Sequence, residues 1–155
     1  MGPVYKLCGS LLVLLASLQT ASASDQSYWR HETVKGFEKY YTSTRDGSHF
    51  IIWCNPARKL AGTVLDIDIK GQSAPARKTI QIVLDRSAID VPADENGFVR
   101  ADCPACSDRS EMLWKKLSSS TNLAVRFNDE TVSRFSTRGA REVLKGSPCA
   151  PARSS

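Results

Sequence analysis

Apolar and polar residues alternate along several short stretches of this chain, and the alternation predicts β-strands. The clearest stretch is GTVLDIDIKG, Gly62–Gly71, in which every second residue from Leu65 to Ile69 is apolar, as in a strand with one buried face. Arg77–Asp85 alternates in the same way. Shorter runs rich in β-branched, aromatic or apolar residues predict the other strands, at Phe37–Thr44, His49–Cys54, Ser87–Val91, Asn122–Phe127 and Thr131–Ser136.

Two segments have helical rather than strand spacing. Asp108 with Glu111 three residues later forms a capping-box pattern, and it precedes an apolar face that ends at Leu117. A second helix is predicted over Arg138–Gly146, capped by Ser136 or Thr137. Between the strands lie turn signals such as Asp46-Gly47. The chain therefore reads as mainly β within the α+β class: a small antiparallel β-sandwich or barrel with one inserted helix and one C-terminal helix.

The N-terminal residues match the three parts of a secretory signal. Lys6 supplies a positive charge, Leu7–Leu18 is apolar and uncharged, and Ala21–Ala23 offers the small residues of a cleavage site. A transmembrane anchor is the alternative, but spanning a bilayer takes ~20 apolar residues. We therefore predict a signal peptide over 1–23, one domain over 24–149 and a disordered tail over 150–155, in a periplasmic or secreted protein.

The cysteine count fits that compartment. Of five cysteines, Cys8 belongs to the predicted signal peptide, which leaves four, and an even number in a secreted chain indicates disulfides. Four cysteines pair in more than one way. We favour a bond between Cys103 and Cys106, because only two residues separate them. The second bond would then be Cys54–Cys149, which would join the end of the chain to a core strand.

The short motif CPAC, Cys103–Cys106, has three interpretations. A thioredoxin-type redox pair would gain from a following helix, but Asp102 and Asp108 would oppose a thiolate. A four-cysteine zinc site needs a second close pair, which the chain lacks. A structural disulfide fits best, and we predict no metal and no cofactor.

Charge and aromatic residues suggest where the domain binds. The chain has a formal net charge of +5, which favours loose attraction to acidic surfaces, and no nucleic-acid motif is present. Trp53 and Trp114 are predicted to fill the core, whereas Trp29 is predicted to be exposed. We therefore define a candidate binding patch of Trp29 and the densest group of basic residues, which are Arg126, Arg134, Arg138 and Arg141.

Two further groups of residues, a pair of aspartates and the two histidines, can be explained by ordinary structural roles. Asp66 and Asp68 share one face of a predicted strand, where paired carboxylates can bind Ca²⁺ or act as acid and base, but a solvated strand face explains them too. His31 and His49 are the only histidines. No nucleophile-elbow pattern accompanies them, so the chain is not predicted to be an enzyme.

The order of motifs resembles that of small periplasmic β-sandwich proteins of Gram-negative bacteria. The shared features are Trp29, the stretches IIWC, VLDIDI, MLWKKL and FSTRGAREVL, and Cys149. The two families it resembles are the type VI secretion-associated TagO/VasI-like domain and the invasion-associated locus B-like domain. CPAC departs from both patterns, since the locus B-like proteins carry a wider cysteine pair. The resemblance implies a periplasmic accessory or interaction module without catalytic residues.

Three functions compete on this reading. The first is a non-enzymatic interaction domain that binds another envelope or secreted protein, or an acidic envelope polymer. The second is a thiol–disulfide protein that uses Cys103 and Cys106. The third is a lysozyme-type enzyme inhibitor, for which the polar loop Val91–Phe98 would be the inserting element.

Overall fold

The computed structural model describes residues 28–57, 59–101, 104–128, 130–146 and 149. The predicted signal peptide and the predicted tail lie outside these residues. The strands are β1 Arg30–Val34, β2 Phe37–Ser43, β3 His49–Asn55, β4 Lys59–Ile69, β5 Gln72–Ser73, β6 Thr79–Leu84, β7 Ser87–Pro92, β8 Val99–Arg100, β9 Leu123–Arg126 and β10 Val132–Phe135, and the helices are α1 Pro104–Ser119 and α2 Ala140–Val143.

The strands form two antiparallel sheets. In the first sheet the order is β1-β2-β3-β4-β5, and β8 also pairs with β4. In the second sheet the order is β10-β9-β6-β7. This is the small β-sandwich that the alternation predicts, and β3 is central in its sheet as expected. The strands β5 and β8 were not predicted, because two-residue strands carry no alternation that a sequence pattern can detect.

The inner faces of the two sheets share one apolar core. Leu65, Ile67 and Ile69 of β4 are buried, as their alternation predicts. Residues of the second sheet join the same cluster. Phe50 of β3 meets Phe135 of β10 across the sandwich, with ring centroids 5.9 Å apart at 70°, an edge-to-face arrangement that aromatic pairs favour.

Two hairpins turn over a lysine and a glycine. Lys35 and Gly36 link β1 to β2 with φ of 50° and 84°, and Lys70 and Gly71 link β4 to β5 with φ of 52° and 75°. Two successive residues with positive φ make the tight type I′ hairpin turn, whose twist matches that of paired strands. The turn requires glycine at its second position because other residues rarely adopt that backbone conformation.

Helix α1 begins four residues earlier than the sequence pattern indicates. It starts at Pro104, because proline is suited to the first turn of a helix, where no backbone N–H partner is needed. The predicted capping box is therefore wrong. Asp108 lies within the helix and is exposed, and Glu111 instead pairs with Lys115 at 2.8 Å. Cys106 also lies in the first turn rather than before the helix.

Helix α2 is shorter than predicted, covering only Ala140–Val143. Its cap is Gly139, at φ 80°, with no side-chain cap. The two residues predicted as caps make other bonds: Thr137 Oγ1 donates to the carbonyl of Thr121 at 3.0 Å, and Ser136 Oγ accepts from the backbone N–H of Arg138 at 3.1 Å. Neither of the two described helices is long and apolar enough to cross a membrane.

The C-terminal segment is bound to the rest of the domain in two ways. Trp114 of α1 donates its indole N–H to the carbonyl of Leu144 at 2.8 Å. The predicted bond between Cys54 and Cys149 is present, with their Cα atoms 5.4 Å apart. Both cysteines are buried, and Cys149 Sγ lies 2.8 Å from the hydroxyl of Thr63. The bridge thus attaches the end of the domain to β3.

Replacing both bridge cysteines by alanine, as Cys54→Ala/Cys149→Ala, should lower the free energy of unfolding by about 4 kcal/mol. The bridge spans 95 residues, and closing so long a loop removes much entropy from the unfolded chain. Denaturant unfolding without reductant measures the change. Met112→Ala, at an exposed position of α1, is the control and should change the free energy by less than about 0.5 kcal/mol. A loss below about 1 kcal/mol in the double variant would contradict the expectation.

Candidate functional site

An open groove of about 430 Å³ lies on the outer face of the second sheet, a volume in the range of ligand sites. We call it the arginine groove. Its walls are formed by parts of β6, β9 and β10, by the turn before β9 and by the segment after β10. Three kinds of residue line it: an apolar floor, three arginines and a polar end around Asp85.

The floor follows from the register of the strands. Leu123 and Val125 of β9 point into the core, so Ala124 between them faces outward. Ala124 stands opposite Val83 of β6, and Val132 of β10 lines the same face. These three outward side chains are apolar and only half-buried, which gives the groove a smooth apolar base.

Arg126 and Arg134 project from the same outer face. Arg134 is paired with Ala124, and Arg126 is paired with Val132, so the two arginines are diagonal neighbours on adjacent strands. Both are exposed. The strands hold their Cα atoms in fixed positions, while the long side chains remain able to adjust to a ligand.

Arg138 completes the set from the segment after β10. Its backbone carbonyl accepts a hydrogen bond from the N–H of Trp29 at 2.8 Å. Its guanidinium carbon lies 5.9 Å from the centre of the Tyr28 ring, within cation–π range. The same ring occupies the space next to Gly139, where a Cβ atom would come within 2.2 Å of it. The segment is thus fixed against the start of the described chain.

Asp85 organises the polar end of the groove through one of its two oxygens. Its Oδ1 accepts hydrogen bonds from the Thr121 N–H at 3.0 Å, the Thr121 hydroxyl at 2.9 Å and the Asn122 N–H at 3.0 Å. The side-chain bond from Thr121, followed by the backbone bonds, lowers the pKa of Asp85. No hydrogen bond from the described residues reaches Oδ2. Because Asp85 is exposed, this oxygen is a charged acceptor open to a ligand.

The charge of the groove lining is suited to binding an anion. Three guanidiniums against one carboxylate give its lining an excess of positive charge, and guanidinium groups bind carboxylates and phosphates in bidentate fashion. Within the part of the chain that the structure describes, no group of three or more His, Cys, Asp or Glu side chains comes together to hold a metal.

The structure brings together three members of the predicted patch and separates two. Arg126, Arg134 and Arg138 line the groove, whereas Arg141 is exposed on α2 outside it. The prediction that Trp29 is exposed is wrong, since only 1% of its surface is accessible. Its ring packs 5.8 Å from that of Phe50, and its indole N–H donates to a backbone carbonyl at 2.8 Å, so burial satisfies both its apolar surface and its polar atom.

Sequence reasoning missed the floor and the polar end. One signal was present for the floor: Val83 and Val132 are apolar at positions where the strand alternation calls for outward polar residues. No signal marked Asp85. It is 36 residues from Thr121 in the sequence, and only the pairing of β6 with β9 brings the two together.

A family model described as YfjT matches residues 27–144. The chain belongs to the YfjT family. The match spans nearly all of the predicted domain, and it names neither of the two families that the sequence resembles. No curated protein and no solved structure gave a significant match.

The disulfides of this YfjT-family protein bear on the interpretations of CPAC. Cys54 and Cys149 are bonded to each other and so offer no thiolates, which excludes the four-cysteine zinc site. Cys106 is half-buried and also disulfide-bonded. Cys103, its predicted partner, lies outside the described residues. The structural and redox interpretations therefore both remain.

The acidic pair, Asp66 and Asp68, lies on the outer face of the first sheet, away from the groove. Burial, followed by the charge of Asp68, raises the pKa of Asp66. A hydrogen bond from the Trp53 side chain acts in the opposite direction. His49 of β3 stands opposite Asp68. The described residues nevertheless form no group of three or more His, Cys, Asp or Glu side chains that could hold a metal ion.

His31 and the predicted inhibitor loop also occupy ordinary surroundings. His31 stacks on Tyr40, with ring centroids 4.4 Å apart, and contacts Glu38. The loop Val91–Phe98 is a tight turn closed by a bond from the Asp94 N–H to the Phe98 carbonyl at 2.8 Å. Gly97 packs so closely that a Cβ there would lie 2.5 Å from a carbonyl oxygen, so the turn lies against the domain surface.

The carboxyl of Asp85 should titrate below the ordinary value of 3.8, because its hydrogen bonds favour the charged form. A carboxyl with a lowered folded pKa stabilises the domain above the pKa of the unfolded chain, and that stability is lost as pH falls through the folded value. Carboxyl NMR measures the titration directly. Asp85→Asn should flatten the acid side of the stability profile, and an unchanged profile would contradict this role.

The disulfide of Cys106 should remain oxidised in thiol buffers poised down to about −300 mV, because structural bridges have midpoints below that value. Mass spectrometry of the YfjT-family protein in graded thiol buffers gives the midpoint. A midpoint between about −120 and −200 mV, the range of oxidants and isomerases, would instead make CPAC a redox site.

Proposed function

We propose that this YfjT-family protein is a non-enzymatic, periplasmic or secreted interaction domain that binds an acidic protein or polymer of the cell envelope through the arginine groove. The observation that carries the proposal is the convergence of Arg126, Arg134 and Arg138 on one concave surface. They come from two strands and a following segment, and no helix or flexible loop is needed to present them.

The chemistry of arginine supports an anionic partner. Guanidinium remains charged at all physiological pH values and presents a planar fork of donors that matches carboxylate and phosphate oxygens. On an exposed surface a single ion pair contributes ~1 kcal/mol or less, but several donors that share one anionic ligand act together. The half-buried apolar floor adds contact area that a purely charged patch would lack.

The framework of the groove is suited to recognition because its parts are anchored. Thr137 is tied to the turn before β9, and Arg138 is tied to Trp29. A preorganised site loses less conformational entropy when the ligand binds, so the affinity is higher. The Cys54–Cys149 bridge and the signal-like N-terminus support an oxidising location outside the cytoplasm, where acidic polymers and proteins are accessible.

The double variant Arg126→Ala/Arg134→Ala should bind isolated Gram-negative cell envelopes at least about tenfold less tightly than the wild type, since a hydrogen bond to a charged group contributes ~1.5 kcal/mol or more. Co-sedimentation of the mature protein with envelope fragments gives the affinity. Wild-type binding should also weaken as salt is added, because salt screens exposed charges.

The matched control is Arg45→Ala/Arg141→Ala, which removes the same charge from exposed positions outside the groove. It should bind nearly as well as the wild type. Equal losses in the two double variants would mean that only net charge matters, and the proposed site would then be wrong.

A further inference from the structure

We propose that the acidic partner is a glycan whose repeating units carry hydroxyl groups as well as anionic groups. The inference rests on the proposed function and identifies the class of ligand for the same groove. It starts from the distribution of charge along the groove. The arginines bind anionic groups, whereas Asp85 binds a hydrogen-bond donor, and one ligand would have to carry both.

Asp85 and Arg126 lie at different levels of the sheet. Arg126 is paired with Gln81 of β6, and Asp85 follows four residues later on the same chain. At ~3.4 Å per residue the two levels are roughly 13 Å apart. A small anion such as phosphate is much shorter than this. A ligand that contacts both ends is therefore an extended molecule.

The Asp85 end accepts hydrogen bonds and repels anions. Four donors already converge on its Oδ1, while Oδ2 receives none from the described residues. An ionised carboxylate can only accept hydrogen bonds. A ligand that lies along the groove must therefore bring its negative charge to the arginines and a hydroxyl or other donor to Asp85.

The floor favours a glycan over an extended acidic peptide. Val83, Ala124 and Val132 are small apolar side chains that can contact the C–H faces of sugar rings. A peptide lying on this face would place its backbone amides against side chains that offer no hydrogen bonds, and such amides need partners. Peptides usually satisfy them by pairing with the edge of a sheet, whereas the groove lies across three strands.

The test compares two labelled oligomers with eight carboxylates each, octagalacturonate and octaglutamate with an amidated C-terminus. The first has hydroxyls on every unit, and the second has none. Fluorescence anisotropy with the mature protein gives both affinities. The wild type should bind the galacturonate oligomer about tenfold more tightly, the effect of one hydrogen bond to a charged group. This preference is measured without any variant, so it does not depend on how a variant folds.

Asp85→Asn then separates hydrogen bonding from charge. It keeps Oδ1 as an acceptor for Thr121 and Asn122, but it replaces the open charged oxygen with an amide group. Binding of octagalacturonate should weaken about tenfold. Binding of octaglutamate should stay equal or tighten, because a repulsive charge has been removed. Glu95→Gln removes the same charge from an exposed position outside the groove and should change neither affinity.

The contrary outcomes are distinguishable. If Asp85→Asn tightens binding of both oligomers, or if octaglutamate is preferred by the wild type, the glycan inference is wrong and an acidic protein partner is favoured. The proposed function would stand in that case. If Arg126→Ala/Arg134→Ala binds both oligomers as well as the wild type does, the groove is not the anion site and both proposals fail.

Discussion

The C-terminal segment is held at both ends, and the shape of the groove depends on this constraint. Beyond α2, Cys149 is bonded to Cys54 on β3. Just after β10, the backbone of Arg138 is bonded to Trp29, whose side chain fills the core. The hydrogen bond to Trp29 therefore holds Arg138 where it lines the groove.

The arginine groove is also a consequence of how β-strands present side chains. Successive residues face opposite sides of a sheet, so the strands that supply core residues also supply the groove. Leu123 and Val125 stabilise the sandwich, while Ala124 and Arg126 between them form the candidate site. Folding and binding thus use alternate positions of one segment, and a substitution on the outer face costs the core little.

Asp85 connects local structure with the chemistry of the groove. Its Oδ1 fixes the turn that begins β9, so the residue has a structural role at that end of the second sheet. Its remaining oxygen gives one end of the groove a negatively charged acceptor, in addition to the three arginines that line the groove. One side chain therefore limits both the shape of the site and the kind of ligand that it accepts, which a purely basic surface would not do.

The sequence by itself determined the elements whose signals are local. The alternation in Gly62–Gly71, the glycine turns and the even cysteine count depend on residues near one another or on counting. They were enough for the class of a small β-sandwich or barrel and for the larger strands. The Cys54–Cys149 bond followed only once Cys103 and Cys106 were paired as close neighbours. The start of α1 at Pro104 is also a local feature, since proline is favoured in the first turn of a helix. The density of arginines in the sequence was also enough to mark the basic part of the groove.

Only the tertiary structure decided which of these residues meet. The burial of Trp29 depends on contacts with Phe50 and Ser136, which are distant in the sequence, so no local pattern revealed it. The same holds for Asp85 and Thr121. Arg141 lies on α2 and outside the groove, although it is only three residues from Arg138 in the sequence. Long-range pairing of strands sets these neighbours, because a site on a sheet is assembled across strands rather than along them.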